Sequence, residues 1–168
     1  MRRHSGEAEI AMTTHHLDAL RSWVAQQVGL AAPELEFIAG DASPRQYYRV
    51  RCNTGQVGVS SRIVMVSPPS ENNEAFLHVG RRLAAAGIQT PTVLAQAGAQ
   101  GWFLLDDFGD VQLLSALTAD NVSFYYRQAF AVLAKQLRLP TDDAGIPLYS
   151  PSRLFAELSL FTEWFLRR

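Results

Sequence analysis

Gly40, Asp41, Ala42 and Ser43, followed two positions later by Arg45, are the residues whose type and spacing fit binding chemistry best. They lie in the run GDASPRQYYRVRCNTGQVGVSSRIVMVSPP, Gly40 to Pro69, which reads as strand, turn, strand, turn, strand. A loop that covers phosphates points backbone N–H groups at anionic oxygens, so it needs small residues and an approachable backbone. Gly40, Ala42 and Ser43 meet that demand, and Arg45 can add a charge-assisted contact. The same residue types also make an ordinary hairpin turn, and the spacing alone leaves both readings open.

The rest of the chain offers less. Its histidines are His4, His15, His16 and His78, and no asparagine follows Asn121. Asp142 and Asp143, in PTDDAGIP, read as turn residues between two helices. The single Cys52 cannot form an internal disulfide and gives no metal-ligand spacing, so a small core residue in a reducing cytoplasm is expected.

The elements that must position the loop follow from periodicity. Residues 1–12 carry no period and are expected to be a flexible extension, with Met12 an alternative start. From Thr14 onward, Leu17, Leu20, Val24 and Val28 recur at helical spacing until Gly29. Strands are predicted at Leu35 to Ala39, Gln46 to Cys52, Arg62 to Ser67, Thr92 to Gln96 and Trp102 to Leu105. Asn53-Thr54-Gly55 is a turn signal that makes the second and third strands antiparallel neighbours.

A helix capped by Ser70, with Phe76, Val79 and Leu83 on one face, is inserted after the third strand. After the polar connection Asp106-Asp107-Phe108-Gly109-Asp110 the strand signals cease. Val122, Tyr126, Phe130, Leu133 and Leu137 mark one helix, and Ser150-Pro151 opens another that carries Leu154, Leu158, Phe161 and Phe165. Phe155 and Trp164 add more aromatic surface than one face of a terminal helix buries, so either a partner surface or a natural chain that continues is expected, with self-association of the chain as it stands.

The chain has 168 residues, 48% hydrophobic and 18% charged, with a net charge of −1. That composition is globular and lacks the basic footprint of a nucleic-acid or membrane-surface binder. Neither a signal peptide nor a membrane span is read from it.

The segments GDASPRQYYRVR, RIVMVSPPSENNEAFLHVGRRLAAAGIQTPTVLA, GWFLLDDFGDVQLLSAL and LFAELSLFTEWFL, in that order, resemble the aminoglycoside phosphotransferase-like kinases. The nearest resemblance is to the bacterial cell-wall sugar kinases that phosphorylate N-acetylmuramate and N-acetylglucosamine at the anomeric position with ATP. It implies an α+β fold: a protein-kinase-like N-lobe with a five-stranded antiparallel sheet and a helix over 13–108, then hinge and first helices of an incomplete C-lobe over 109–168.

The resemblance further implies ATP and Mg2+ as cofactors and a small sugar as substrate. Gly40, Asp41, Ala42, Ser43 and Arg45 would hold phosphates, and Leu105, Asp106, Asp107 and Phe108 would offer hinge backbone and an apolar sandwich to adenine. The family's general base sits in an H-x-D-x-x-x-x-N loop, and a later aspartate holds the metal; neither occurs here, so this chain is expected to be inactive alone. No lysine lies on the third strand, since Lys135 is the only one. Arg62 stands at the start of that strand, and Glu71 or Glu74 is a candidate partner for it or for Arg45, although acids at a helix N-terminus need no site to explain them. The competing expectation is a non-catalytic nucleotide-binding or scaffolding module that acts through its terminal helix.

Overall fold

The computed structural model describes residues 4–38, 44–53, 59–141, 146 and 148–166. Five strands form one antiparallel sheet: β1 (Leu35–Ile38), β2 (Gln46–Asn53), β3 (Val59–Val66), β4 (Val93–Ala97) and β5 (Trp102–Asp106), in the spatial order β1-β2-β3-β5-β4. The expected pairing of the second and third strands is present, with Tyr47 opposite Met65 and Arg49 opposite Ile63. β3 begins three residues before the predicted Arg62 because Ser60 and Ser61 pair with Cys52 and Arg51, and Ser60 Oγ donates to the Cys52 carbonyl. Serine is not a strand-former by type, so only the ladder reveals this start.

Alternation along the strands gives the sheet two apolar faces. Val50, Cys52, Val64, Trp102 and Leu104 on one face pack with Leu20 and Val24 of helix α1 (His4–Val28). Met65, Phe103 and Leu105 on the other pack with Phe76 and Leu77 of α2 (Asn73–Ala85). Burying each such aliphatic or aromatic side chain stabilises by roughly 1.5 to 3 kcal/mol, so each face of the sheet holds its helix through its own apolar cluster. Trp102 and Phe103, neighbours in β5 that face opposite sides of the sheet, are both core residues.

Two helix starts differ from the sequence reading. α1 begins at His4 rather than at the predicted Thr14, and Glu7, Ala8, Glu9, Ala11 and Met12 in the added length are strong helix formers by type. The cap of α2 is Asn72, whose side chain accepts the Ala75 N–H, and not Ser70. Ser70 is consumed in a turn closed by the Glu71 N–H to the Pro68 carbonyl. The turn between β4 and β5 ends on Gly101, at φ +69°, which only glycine adopts freely.

Beyond β5 the chain is helical: α3 (Leu113–Ala116), α4 (Val122–Gln136) and α5 (Pro151–Leu160), which ends in a π-helical turn at Phe161–Phe165. Ser150 caps α5 through the Arg153 N–H, with Pro151 in the first turn, as the sequence predicts. Among the described residues, Lys135 Nζ donates to the Gly87 carbonyl at 2.8 Å and Arg82 Nη2 to the Pro140 carbonyl at 2.5 Å, which joins this helical part to the end of α2. The apolar side chains of α4 and α5 are otherwise largely exposed, including Phe130, Phe155, Trp164 and Phe165. Among the described residues, no helix is long and apolar enough to cross a membrane.

Candidate functional site

β2 leads out of the loop that the sequence singles out, and its alternation sets Arg45, Tyr47 and Arg49 in a row on the α2 side of the sheet. At about 3.3 Å per residue the row spans about 13 Å from Arg45 to Arg49. Gly40, Asp41, Ala42 and Ser43 lie outside the described residues. Arg45 is described, and it is engaged by the protein. Its Nε donates to Ser67 Oγ at 3.1 Å, its Nη2 lies 3.5 Å from Glu71 Oε2, and its guanidinium sits 5.3 Å above the Phe76 ring. Of the two candidate glutamates, Glu71 therefore pairs with Arg45, while Arg62 donates to the Ser61 carbonyl.

At the other end of the row lies the segment after β5. Leu105 is buried in the core. Asp106 is tied to Thr92 in both directions: its N–H donates to the Thr92 carbonyl, and its carboxylate accepts the Thr92 N–H. Asp107 turns inward with 4% of its side chain exposed. It accepts Arg49 Nε at 2.6 Å, Ser61 Oγ at 2.6 Å and the Gly109 N–H at 2.8 Å. Phe108 is more than half exposed.

Arg49 also reaches Asp110, with Nη1 at 2.9 Å and Nη2 at 2.8 Å from its two oxygens. One guanidinium thus binds two carboxylates. The hydrogen bonds from Arg49 hold the Asp107 carboxyl far below its ordinary range, at about 2, against the opposing effect of burial and with help from Ser61 and the Gly109 N–H. The same bonds push the Arg49 guanidinium up.

Sequence reading does not find Arg49. Strand alternation places it on the face of Tyr47, but its partners are 58 and 61 residues away, and only the fold supplies that proximity.

Between these groups lies a cleft of about 390 Å³, with Ile38, Tyr47 and Ile63 on the strand side and Leu105, Phe108 and Val111 on the other. Its apolar walls and adjacent peptide edge suit a flat heteroaromatic ring. A larger groove of about 1090 Å³ runs between α2 and residues 88–96, with Arg45 and Glu71 lining it. Of these two, the smaller cleft is the candidate site, because it brings the segment 105–108 together with β2 and β3. Among the described residues, no group of three histidine, cysteine, aspartate or glutamate side chains is placed to hold a metal ion.

The phosphotransferase enzyme family is matched over residues 34–168. A Pseudomonas putida protein named N-acetylmuramate/N-acetylglucosamine kinase is 35% identical over 137 residues, which cover 82% of this chain and 39% of that protein. A protein of the same name from Pseudomonas aeruginosa is 37% identical over 150 residues, 87% of this chain and 42% of the relative. A third, from Neisseria meningitidis, is 25% identical over 154 residues, 89% and 44% respectively. The chain thus spans about two fifths of the length of these relatives.

Proposed function

We propose, from the premise that this chain belongs to the phosphotransferase enzyme family, that it forms the nucleotide-holding part of an ATP-dependent kinase acting on an N-acetylated amino sugar at its anomeric hydroxyl. The cleft between β2, β3 and the segment 105–108 carries this reading. The sugar class rests on the names of the relatives.

In this reading adenine lies in the cleft between Tyr47 and Ile63 on one side and Leu105 and Phe108 on the other, and meets the backbone of residues 105–108 along its edge. The phosphates run along β2 toward residues 40–43, whose small types suit backbone N–H contact with anionic oxygens, and Arg45, braced by Glu71 and Ser67, supplies positive charge at that end. Holding the nucleotide in one geometry and balancing its charge are what this part contributes to phosphoryl transfer. Among the described residues no three histidine, cysteine, aspartate or glutamate side chains gather to hold a metal by themselves. Residues 13–108 act as the nucleotide lobe and residues 109–168 open the second lobe, in a cytoplasmic enzyme.

The first test is amide chemical-shift mapping of the 168-residue chain with ATP. Shifts at Tyr47, Ile63 and residues 105–108 support the proposal, and shifts confined to residues after Thr118 contradict it. The sugar-kinase half is tested by reading the gene past the Arg168 codon. An in-frame histidine-aspartate loop with a later aspartate supports it; unrelated sequence removes it.

A further inference from the structure

We propose that Arg49 is a positioning residue for the nucleotide base: its guanidinium holds the 105–110 segment against β2, and so fixes the gap between the backbone of that segment and the apolar floor at Tyr47 and Ile63. The inference rests on the nucleotide reading above and extends it from residues that would touch the base to one that sets where they stand.

Four contacts leave this one side chain. Nε and Nη2 reach the two oxygens of Asp107 at 2.6 and 3.2 Å, and Nη1 and Nη2 reach those of Asp110 at 2.9 and 2.8 Å. For two carboxylates three positions apart to face one guanidinium, the chain between them must double back. Gly109 permits this with φ +80°, and its N–H closes the turn on Asp107. Ser61 adds a bond from β3 to the same carboxylate, so the segment is fixed to two strands.

The planar fork of arginine can serve two carboxylates at once, and a lysine ammonium, a point charge on a flexible stem, cannot hold that geometry. Both oxygens of Asp107 are occupied by Arg49, Ser61 and Gly109. The Asp107 side chain therefore faces inward, and the backbone of the segment is what remains to meet a base. The clamp also has an inner and an outer half: Asp107 is 4% exposed and Asp110 76%.

The test compares ATP with inorganic tripolyphosphate, which has the phosphates but no base, on the 168-residue chain and its Arg49→Lys and Asp110→Asn variants. Arg49→Lys keeps the charge and loses the fork. ATP binding should weaken at least about tenfold, the scale of one charge-assisted hydrogen bond, while tripolyphosphate binding changes less than about twofold. A residue that only stabilised the fold would leave both affinities unchanged at temperatures where the variant is folded, or lower both alike; either result overturns the proposal.

Asp110→Asn serves if Arg49→Lys does not fold, because it leaves the buried Asp107 pair intact. It should weaken ATP about threefold with tripolyphosphate unaffected, as fits an exposed ion pair, and wild-type ATP affinity in this variant overturns the proposal. A wild-type chain that binds tripolyphosphate but gains nothing from the base overturns the positioning role alone. A chain that binds neither overturns the nucleotide reading with it.

Discussion

Arg49 in β2 and Asp107 after β5 are 58 residues apart in the chain, yet Nε of the first donates to Oδ2 of the second at 2.6 Å. Both side chains are nearly buried, at 11% and 4% exposure. A buried ion pair is a poor source of net stability against an apolar replacement, but removing one partner strands the other charge. The pair is thus more informative about where the 105–110 segment must lie than about how stable the sheet is.

Replacing Asp107 by Asn should destabilise the fold by on the order of 2 kcal/mol at pH 7, read by urea unfolding. The sign with pH follows from the depressed carboxyl at about 2. The folded state holds Asp107 ionised more firmly than the unfolded chain does, so its contribution is complete above the unfolded value of about 3.9 and fades as pH falls toward 2. Wild type and variant should therefore converge between pH 4 and 2. A gap that is constant over that range would show that the carboxylate charge is not what Arg49 and Ser61 respond to.

Gly101→Ala should be among the most damaging single changes in the sheet. Gly101 has φ +69°, and a Cβ there would stand 2.0 Å from the Ser67 carbonyl oxygen. The two backbones are held together by the Ser67 N–H to the Gly101 carbonyl at 2.8 Å, so neither can retreat cheaply. Left-handed strain alone costs about 1 to 2 kcal/mol, and the clash adds to it. Gly98, three residues earlier, has open space at its Cβ position, and Gly98→Ala should stay within about 0.5 kcal/mol of wild type. Equal losses in thermal unfolding would contradict this account.

Much of the fold was legible in the residues. Strand-forming residues bounded by turn signals located all five strands of the sheet, and Ser150-Pro151 marked the start of α5 because a cap and a first-turn proline act locally. What failed to show was non-local or crowded. Three polar residues, Ser70, Glu71 and Asn72, compete for one cap, and the turn closed on Pro68 decides for Asn72. β4 follows β3 among the strands but pairs only with β5 at the sheet edge, an order that periodicity does not reveal. Around the candidate site, strand β2, which follows Arg45, and the end of the strands at β5 were legible, whereas the Arg49 clamp depends on partners 58 and 61 residues away.

The cap assignment is testable by itself. Asn72→Ala removes the acceptor for the Ala75 N–H and should cost about 1 kcal/mol, whereas Ser70→Ala should be close to neutral. The reverse order in denaturant midpoints would restore Ser70 as the start of α2.

Incubated with ATP, magnesium and N-acetylated amino sugars, residues 1–168 alone should form no sugar phosphate above a blank. No histidine follows His78 to build an H-x-D loop, and among the described residues no carboxylate cluster suits a metal. Phosphorylated sugar that disappears on Asp107→Asn would show that Asp107 does more than accept bonds from Arg49.

The terminal helix makes the last prediction. Phe155, Phe161, Trp164 and Phe165 of α5 and its π-helical turn are 74%, 56%, 68% and 71% exposed, with Leu158 beside them at 63%. Phe161 and Phe165 stack on each other at 5.1 Å between ring centres, which hides little of either ring from water. Exposed aromatic surface on this scale drives association, because burying one such side chain is worth roughly 1.5 to 3 kcal/mol. The 168-residue chain should therefore self-associate as concentration rises, and deletion of residues 151–168 should restore a single species in light scattering without loss of the sheet's circular dichroism. The core supports that separation, since none of the residues buried with α1, α2 and the sheet belongs to α5. A monodisperse full chain with its tryptophan fluorescence shielded from iodide would mean that α5 is covered within one molecule, and this prediction would be wrong.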